Sequence, residues 1–114
     1  MKKLTVIFLL ILFSIYPNAV FSENWIQVNQ FGHKLDTDSV KVSLYYVEYI
    51  VLMGKWDNYL VSECKKGRMK RIKSVTHDNQ NQVGYPETSD WFPAEQGPAY
   101  MEMNAYVCSH YFHR

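Results

Sequence analysis

Residues 44–53 read Leu44-Tyr45-Tyr46-Val47-Glu48-Tyr49-Ile50-Val51-Leu52-Met53. The run is rich in β-branched and aromatic side chains and holds neither glycine nor proline, which is the chemistry of a pleated strand. Alternation places Tyr45, Val47, Tyr49, Val51 and Met53 on one face and Leu44, Tyr46, Glu48, Ile50 and Leu52 on the other. Both faces are largely apolar. A strand of that kind sits centrally in a sheet and is covered on both sides, by a helix and a loop or by a second copy of the chain.

Working outward, turn chemistry cuts the rest of the chain into short strands. Gly54 to Asn58 forms a turn that carries Trp56, and Tyr59 to Cys64 alternates as the next strand. Lys65, Lys66 and Gly67 make a tight connection to a strand from Arg68 to His77, and the polar residues Asp78 to Gln82 turn the chain toward Val83 and Tyr85. Upstream, Trp25 to Val28 reads as a first strand ended by the turn at Phe31, Gly32 and His33. Lys34 and Leu35 begin a second short strand, closed by Asp36, Thr37, Asp38 and Ser39, whose side chains hydrogen-bond nearby backbone in turns. Pro86, Pro93, Gly97 and Pro98 make the stretch after Tyr85 a loop, with Trp91 and Phe92 folded down onto the sheet. Gly97 followed by Pro98 then opens a helix running to about Tyr111, since proline suits the first helical position. On it Met101, Ala105, Cys108 and Phe112 share one face, which directs Cys108 toward the sheet. The expected fold is α+β: one antiparallel meander sheet of about six strands with a single C-terminal helix packed on it, tied by a disulfide.

The N-terminus bears on the compartment. Lys2 and Lys3 precede an apolar run from Leu4 to Ile15, Pro17 and Asn18 break it, and Val20, Phe21 and Ser22 give a small-residue exit. That is the three-part pattern of an export signal. Its core of about 12 residues falls short of the ~20 that a spanning helix needs. Residues 1–22 are therefore expected to be a signal peptide and residues 23–114 one small α+β domain, too short for a doubly wound or barrel enzyme. A lipid anchor would need a cysteine at the cleavage point, and the two cysteines are Cys64 and Cys108, far downstream. Two cysteines in an exported domain with a small core are expected to form one disulfide. The protein is thus read as periplasmic, secreted or cell-surface, and not a lipoprotein.

Charge narrows the partners. Of 12 Lys and Arg, two leave with Lys2 and Lys3, so ten face 11 Asp and Glu in the mature domain. Near neutrality argues against a nucleic-acid binder held by phosphate neutralisation. Six of those ten cations, Lys65, Lys66, Arg68, Lys70, Arg71 and Lys73, lie within nine residues. They can attract an acidic protein patch, an acidic (sulfated) glycan or lipid phosphates, or simply shield a sheet edge from pairing. Alternation sets Arg68 and Lys70 on one face of that strand and Arg71 and Lys73 on the other. A second candidate surface is aromatic: Tyr45, Tyr46, Tyr49, Trp56 and Tyr59 can form a protein interface, or serve as core and rim.

Catalytic and metal signatures are weak. Cys108, His110 and His113, with His33 and His77 elsewhere, lack the spacing of a zinc site once Cys108 is oxidised. Asp36 and Asp38 could pair as glycosidase carboxylates do, but suit a turn better. No Gly-x-Ser-x-Gly, phosphate loop or His-Glu-x-x-His occurs. The expectation is a non-enzymatic binding protein without metal or cofactor.

Four features in order carry a resemblance: Trp25-Ile26-Gln27-Val28, then Asp36-Thr37-Asp38-Ser39-Val40, then the strand ending at Cys64 with its basic successor, then Trp91-Phe92-Pro93 before a helix closing on Tyr106-Val107-Cys108. The order resembles the surface-adhesin protein E family of small exported bacterial proteins, over essentially the whole mature chain. The resemblance implies a six-stranded antiparallel sheet whose C-terminal helix is tied back by the cysteine pair, often as a homodimer. It also implies adhesion to host matrix proteins such as vitronectin and laminin. Two departures are the missing lipid-acceptor cysteine and the absence of glycine in the turn Asp78 to Gln82. The alternative function is a periplasmic accessory or inhibitor protein that docks on an envelope component.

Overall fold

The computed structural model describes residues 24–78, 82–85 and 87–113. Residues 1–22, expected from the sequence to be an export signal, lie outside the described residues, as does the middle of the turn after Asp78. Six strands follow one another as antiparallel neighbours: β1 (Trp25–Gln27), β2 (Lys34–Val42), β3 (Val47–Met53), β4 (Trp56–Glu63), β5 (Arg68–Thr76) and β6 (Val83–Tyr85). A two-residue strand, β7 (Phe92–Pro93), pairs with the start of β5, opposite Arg68 and Met69. Among the described residues one α-helix, α1 (Pro98–Tyr111), follows the sheet. This is the expected meander with a C-terminal helix, and Cys64 and Cys108 are joined as a disulfide with their Cα atoms 5.7 Å apart.

The two faces of β3 dictate the layers. Val47, Tyr49 and Val51 point inward and are buried with Leu35, Leu60 and Met69, and α1 covers them with Met103 and Val107. The helix begins at its Gly97-Pro98 signal and donates from the Met101 backbone N–H to the Gly97 carbonyl at 2.9 Å. Its inward stripe differs from the expected one. Met103 and Val107 are fully buried, while Met101 is 48% exposed and Ala105 faces solvent. The helix is apolar on several sides, so its periodicity has no single peak, and the inward face is the one whose Met103 and Val107 join the buried cluster of Val47, Leu60 and Met69.

Two more boundaries shift for local reasons. Leu44 to Tyr46 is a turn, not strand: Ser43 donates its backbone N–H to the Tyr46 carbonyl at 2.8 Å, and its hydroxyl oxygen accepts the Tyr46 N–H at 3.3 Å. Tyr45 is therefore 55% exposed at a hairpin tip. Asp36 to Ser39, expected to end a strand, instead bulges within a continuous β2. Pairing passes from Asp36↔Ile50 to Lys41↔Glu48, so four residues of β2 oppose one of β3. The turn-forming side chains still act there. Asp36 Oδ1 accepts the Asp38 N–H at 3.0 Å, and Ser39 donates its hydroxyl to the Asp36 carbonyl at 2.7 Å while accepting the Ile50 N–H at 2.8 Å. Trp56, expected in a turn, starts β4 opposite Met53, and a Cβ at Gly84 would lie 2.9 Å from its ring.

Candidate functional site

The helix covers one face of the sheet, and Glu48, Ile50, Tyr59 and Val61 project from the other, where Ile50 pairs with Tyr59 and Glu48 with Val61. A bulge in β5 adds to this outer face. Leu60 pairs with Arg71 and Tyr59 with Lys73, so Ile72 is the extra residue between them. The result is an open groove of about 380 Å³ floored by Ile50, Tyr59 and Ile72 and edged by Asp36, Asp38 and Glu48. A second hollow of about 260 Å³ continues it through the shared residues Glu48 and Ile72 to Tyr46, Lys70 and Trp91.

Trp91 organises the far end. The loop before β7 lays its indole over the Arg68 guanidinium and the Lys70 ammonium, each 4.6 Å from the ring centroid, and stacks it beside Tyr46 at 5.9 Å and 18°. Arg68 Nε also donates to Glu63 Oε1. These contacts hold the loop by cation–π attraction, and they occupy the cations that make them. On the far side of Trp91 lies a third hollow of about 370 Å³, between Lys66, Arg68 and Glu95.

The six basic residues are thus spread over three environments. Lys65 and Lys66 are exposed on the short 3-10 turn Cys64–Lys66. Arg68 and Lys70 lie under Trp91, and Lys73 reaches over the outward Tyr59 ring at 4.7 Å. The bulge at Ile72 is why Lys73 joins Arg68 and Lys70 on the outer face, against simple alternation. Arg71 stays opposite the inward Leu60, and its backbone is stitched to Ser89, whose N–H donates to the Arg71 carbonyl at 2.8 Å and whose hydroxyl accepts the Arg71 N–H at 2.9 Å. That loop, more than the charges, covers this stretch of β5's edge.

The aromatic set divides as well. Tyr49 belongs to the core at 2% exposure, its hydroxyl 2.6 Å from Ser62 Oγ, and burial pushes its phenol pKa far up. Its parity points it inward with Val47 and Val51. Trp56 packs against Gly84, away from the groove. Tyr45 lies edge-on to Tyr46 at 6.2 Å, so Tyr45, Tyr46 and Tyr59 are the members left on open surface. Desolvation first, then the charges of Asp57 and Asp36, raise the Tyr59 phenol above its ordinary range. Ile50 and Ile72 entered no sequence-derived surface. Outward alternation marks Ile50, and in β5 it sets Ile72 beside Arg68 and Lys70; what has no signal in β5 alone is the bulge that brings Lys73 to the same face.

The histidines lie apart. His77 Nδ1 sits 2.9 Å from Asp57 Oδ1 with the Trp25 ring edge-on at 5.4 Å, His33 is in the β1–β2 turn, and His110 stacks on Tyr106 at 3.9 Å. Among the described residues no three His, Cys, Asp or Glu side chains converge as a metal site. Compared with known proteins, the chain matches no family model, no curated protein and no solved structure.

Proposed function

We propose that the protein is an exported, non-enzymatic binding module that takes a protein partner on the outer face of its sheet. The observation that carries this reading is the continuous groove from Asp38 to Trp91, an apolar floor with aromatic walls and charges of both signs at its rim. A standard recognition patch has that composition: aromatic and aliphatic anchors at the centre, polar groups around them. The Cys64–Cys108 bond suits an oxidising compartment, which agrees with the export signal read at residues 1–22. Host matrix proteins such as vitronectin and laminin are the partners that the protein E resemblance suggests. A periplasmic envelope component is the rival partner for the same face.

The test is binding of the purified, oxidised domain to immobilised vitronectin and laminin at physiological salt. Ile72→Glu, in the groove floor, is expected to weaken saturable binding by at least about tenfold, the effect of losing one modest hot spot. Ala105→Glu, on the solvent side of α1, is expected to leave it unchanged. Equal binding by both variants would remove the outer face from the account. A heparin arm separates an acidic glycan from a protein partner: binding that vanishes with salt and with Lys65 and Lys66 changed to Glu would place the contact on the basic corner.

A second reading, self-association, rests on the free edge of β2. Strand β1 pairs with β2 through Lys34, Leu35 and Asp36, Thr37 adds a bond from its backbone N–H to the Asn24 carbonyl at 2.9 Å, and further along Val42, Leu44 and Tyr45 are exposed. Segment 38–41 reads Asp-Ser-Val-Lys, and Asp38 and Lys41 line the same groove. Antiparallel pairing about a two-fold between Ser39 and Val40 sets Asp38 of each copy against Lys41 of the other. Sedimentation equilibrium is expected to show a dimer that Val42→Lys shifts to monomer; a wild-type monomer at all concentrations would exclude this edge.

A further inference from the structure

We propose that the β1–β2 turn and the first turn of α1 form a proton-operated latch, closed while His33 is neutral and opened when it is protonated. The argument starts from Asn29, buried in that turn. Its Oδ1 accepts the backbone N–H of Phe31 at 3.0 Å and of His33 at 3.2 Å. Its Nδ2 donates to the Ala99 carbonyl of α1 at 3.1 Å. Backbone N–H groups only donate and a carbonyl only accepts, so these three bonds fix which end of the amide is oxygen. The remaining Nδ2 hydrogen lies against His33 Nδ1 at 2.9 Å. That nitrogen must then carry a lone pair, and the ring is neutral with its proton on Nε2.

Protonation puts an N–H on Nδ1, facing the N–H of Asn29. The amide cannot rotate to offer its oxygen without surrendering all three backbone bonds, so the charged ring swings away from Nδ2, and the amide, no longer held from that side, slackens its bond to the Ala99 carbonyl of α1. The same two segments are also tied by the backbone N–H and Nε2 of Gln30, which donate to the two carboxylate oxygens of Glu102 at 2.8 and 2.7 Å. Glu102 on α1 and the exposed Lys34 on β2 are the charged groups that these packed elements bring to the turn, and Phe31 stacks on the imidazole at 6.3 Å. The far end of α1 is held covalently by Cys108. Acid therefore frees the helix from its N-terminal end while the disulfide keeps its C-terminal end in place.

The sign follows from linkage. Burial lowers the His33 imidazole below its ordinary 6.5, so between the two values the open form binds more protons than the closed one. The latch is fully closed above pH 6.5 and is lost as pH falls through the lowered value.

The test uses the full oxidised domain and nitrogen-15 NMR. At pH 7.5 the His33 Nδ1 resonance is expected to be that of an unprotonated ring nitrogen, with the proton on Nε2. Between pH 7.5 and 5, hydrogen exchange of the first-turn amides of α1, corrected for intrinsic rates, is expected to speed up by about tenfold for each unit by which the closed-state pKa is lowered. His33→Gln, which keeps a neutral acceptor, is expected to flatten that profile. Asn29→Asp is expected to reverse it, because a carboxylate accepts the same two backbone N–H groups and also the Nδ1–H of a protonated ring. A proton on Nδ1 at pH 7.5 overturns the proposal without any variant, and so does an exchange profile that His33→Gln leaves unchanged.

Discussion

A Cys64→Ala/Cys108→Ala variant is expected to unfold about 4 kcal/mol more easily than the oxidised protein, the chain-entropy estimate for a cross-link spanning 44 residues. The loss is large against the ~5–15 kcal/mol by which small domains are stable. The bond joins the residue after β4 to the last turns of α1, and α1 supplies Met103 and Val107, two fully buried side chains over the sheet. Without the tether the unfolded chain regains the freedom of that loop, and the helix must hold its place by side-chain burial alone. Urea titration of the two proteins checks this. A difference below about 1 kcal/mol would mean that the cross-link constrains little and that packing of α1 suffices.

The second large effect is expected at Asn29, where alanine should cost about 3 kcal/mol. Four hydrogen bonds leave with the amide, and the Phe31 and His33 N–H groups and the Ala99 carbonyl lose their partner at a mostly buried site. The position is unusual because one side chain closes its own turn and also docks that turn on a helix 70 residues away in sequence. A surface asparagine in a turn would cost less than 1 kcal/mol on truncation. Denaturation midpoints at pH 7.5, above the titration of His33, separate the two cases. A small loss would show that water replaces these bonds readily.

Much of this architecture is legible in the chain because its signals are local. Gly97-Pro98 fixes the start of α1, Gly67 at φ 62° fixes the turn into β5, and the apolar run through Val51 marks the central strand. What stays hidden depends on neighbours. Met101 and Met103 are equally apolar, and only the shape of the sheet beneath selects the second; Cys108 borders both stripes and does not decide between them. A bulge is a relation between two strands, so neither the extra residues of β2 nor the outward turn of Lys73 in β5 can be read from one strand. The aromatic surface shows the same limit in reverse. Alternation already sets Tyr46 and Tyr49 on opposite faces, so a single patch holding both is inconsistent with a strand, and the structure keeps only Tyr46, with Tyr45 and Tyr59, on open surface. Trp91 is legible as a residue folded onto the sheet, but its place over Arg68 and Lys70 depends on β7 pairing with the start of β5, a contact between segments distant in sequence.

The central claim is that partners are met on the outer face, and side-chain footprinting tests it most directly. The oxidised domain is exposed to hydroxyl radicals alone and in complex with vitronectin or laminin, and oxidation is read at each residue by mass spectrometry. Protection is expected at Tyr46, Tyr59, Ile72 and Trp91, with Met101 on the solvent side of α1 oxidised equally in both states. Protection at Met101 with the groove residues unchanged would contradict the account.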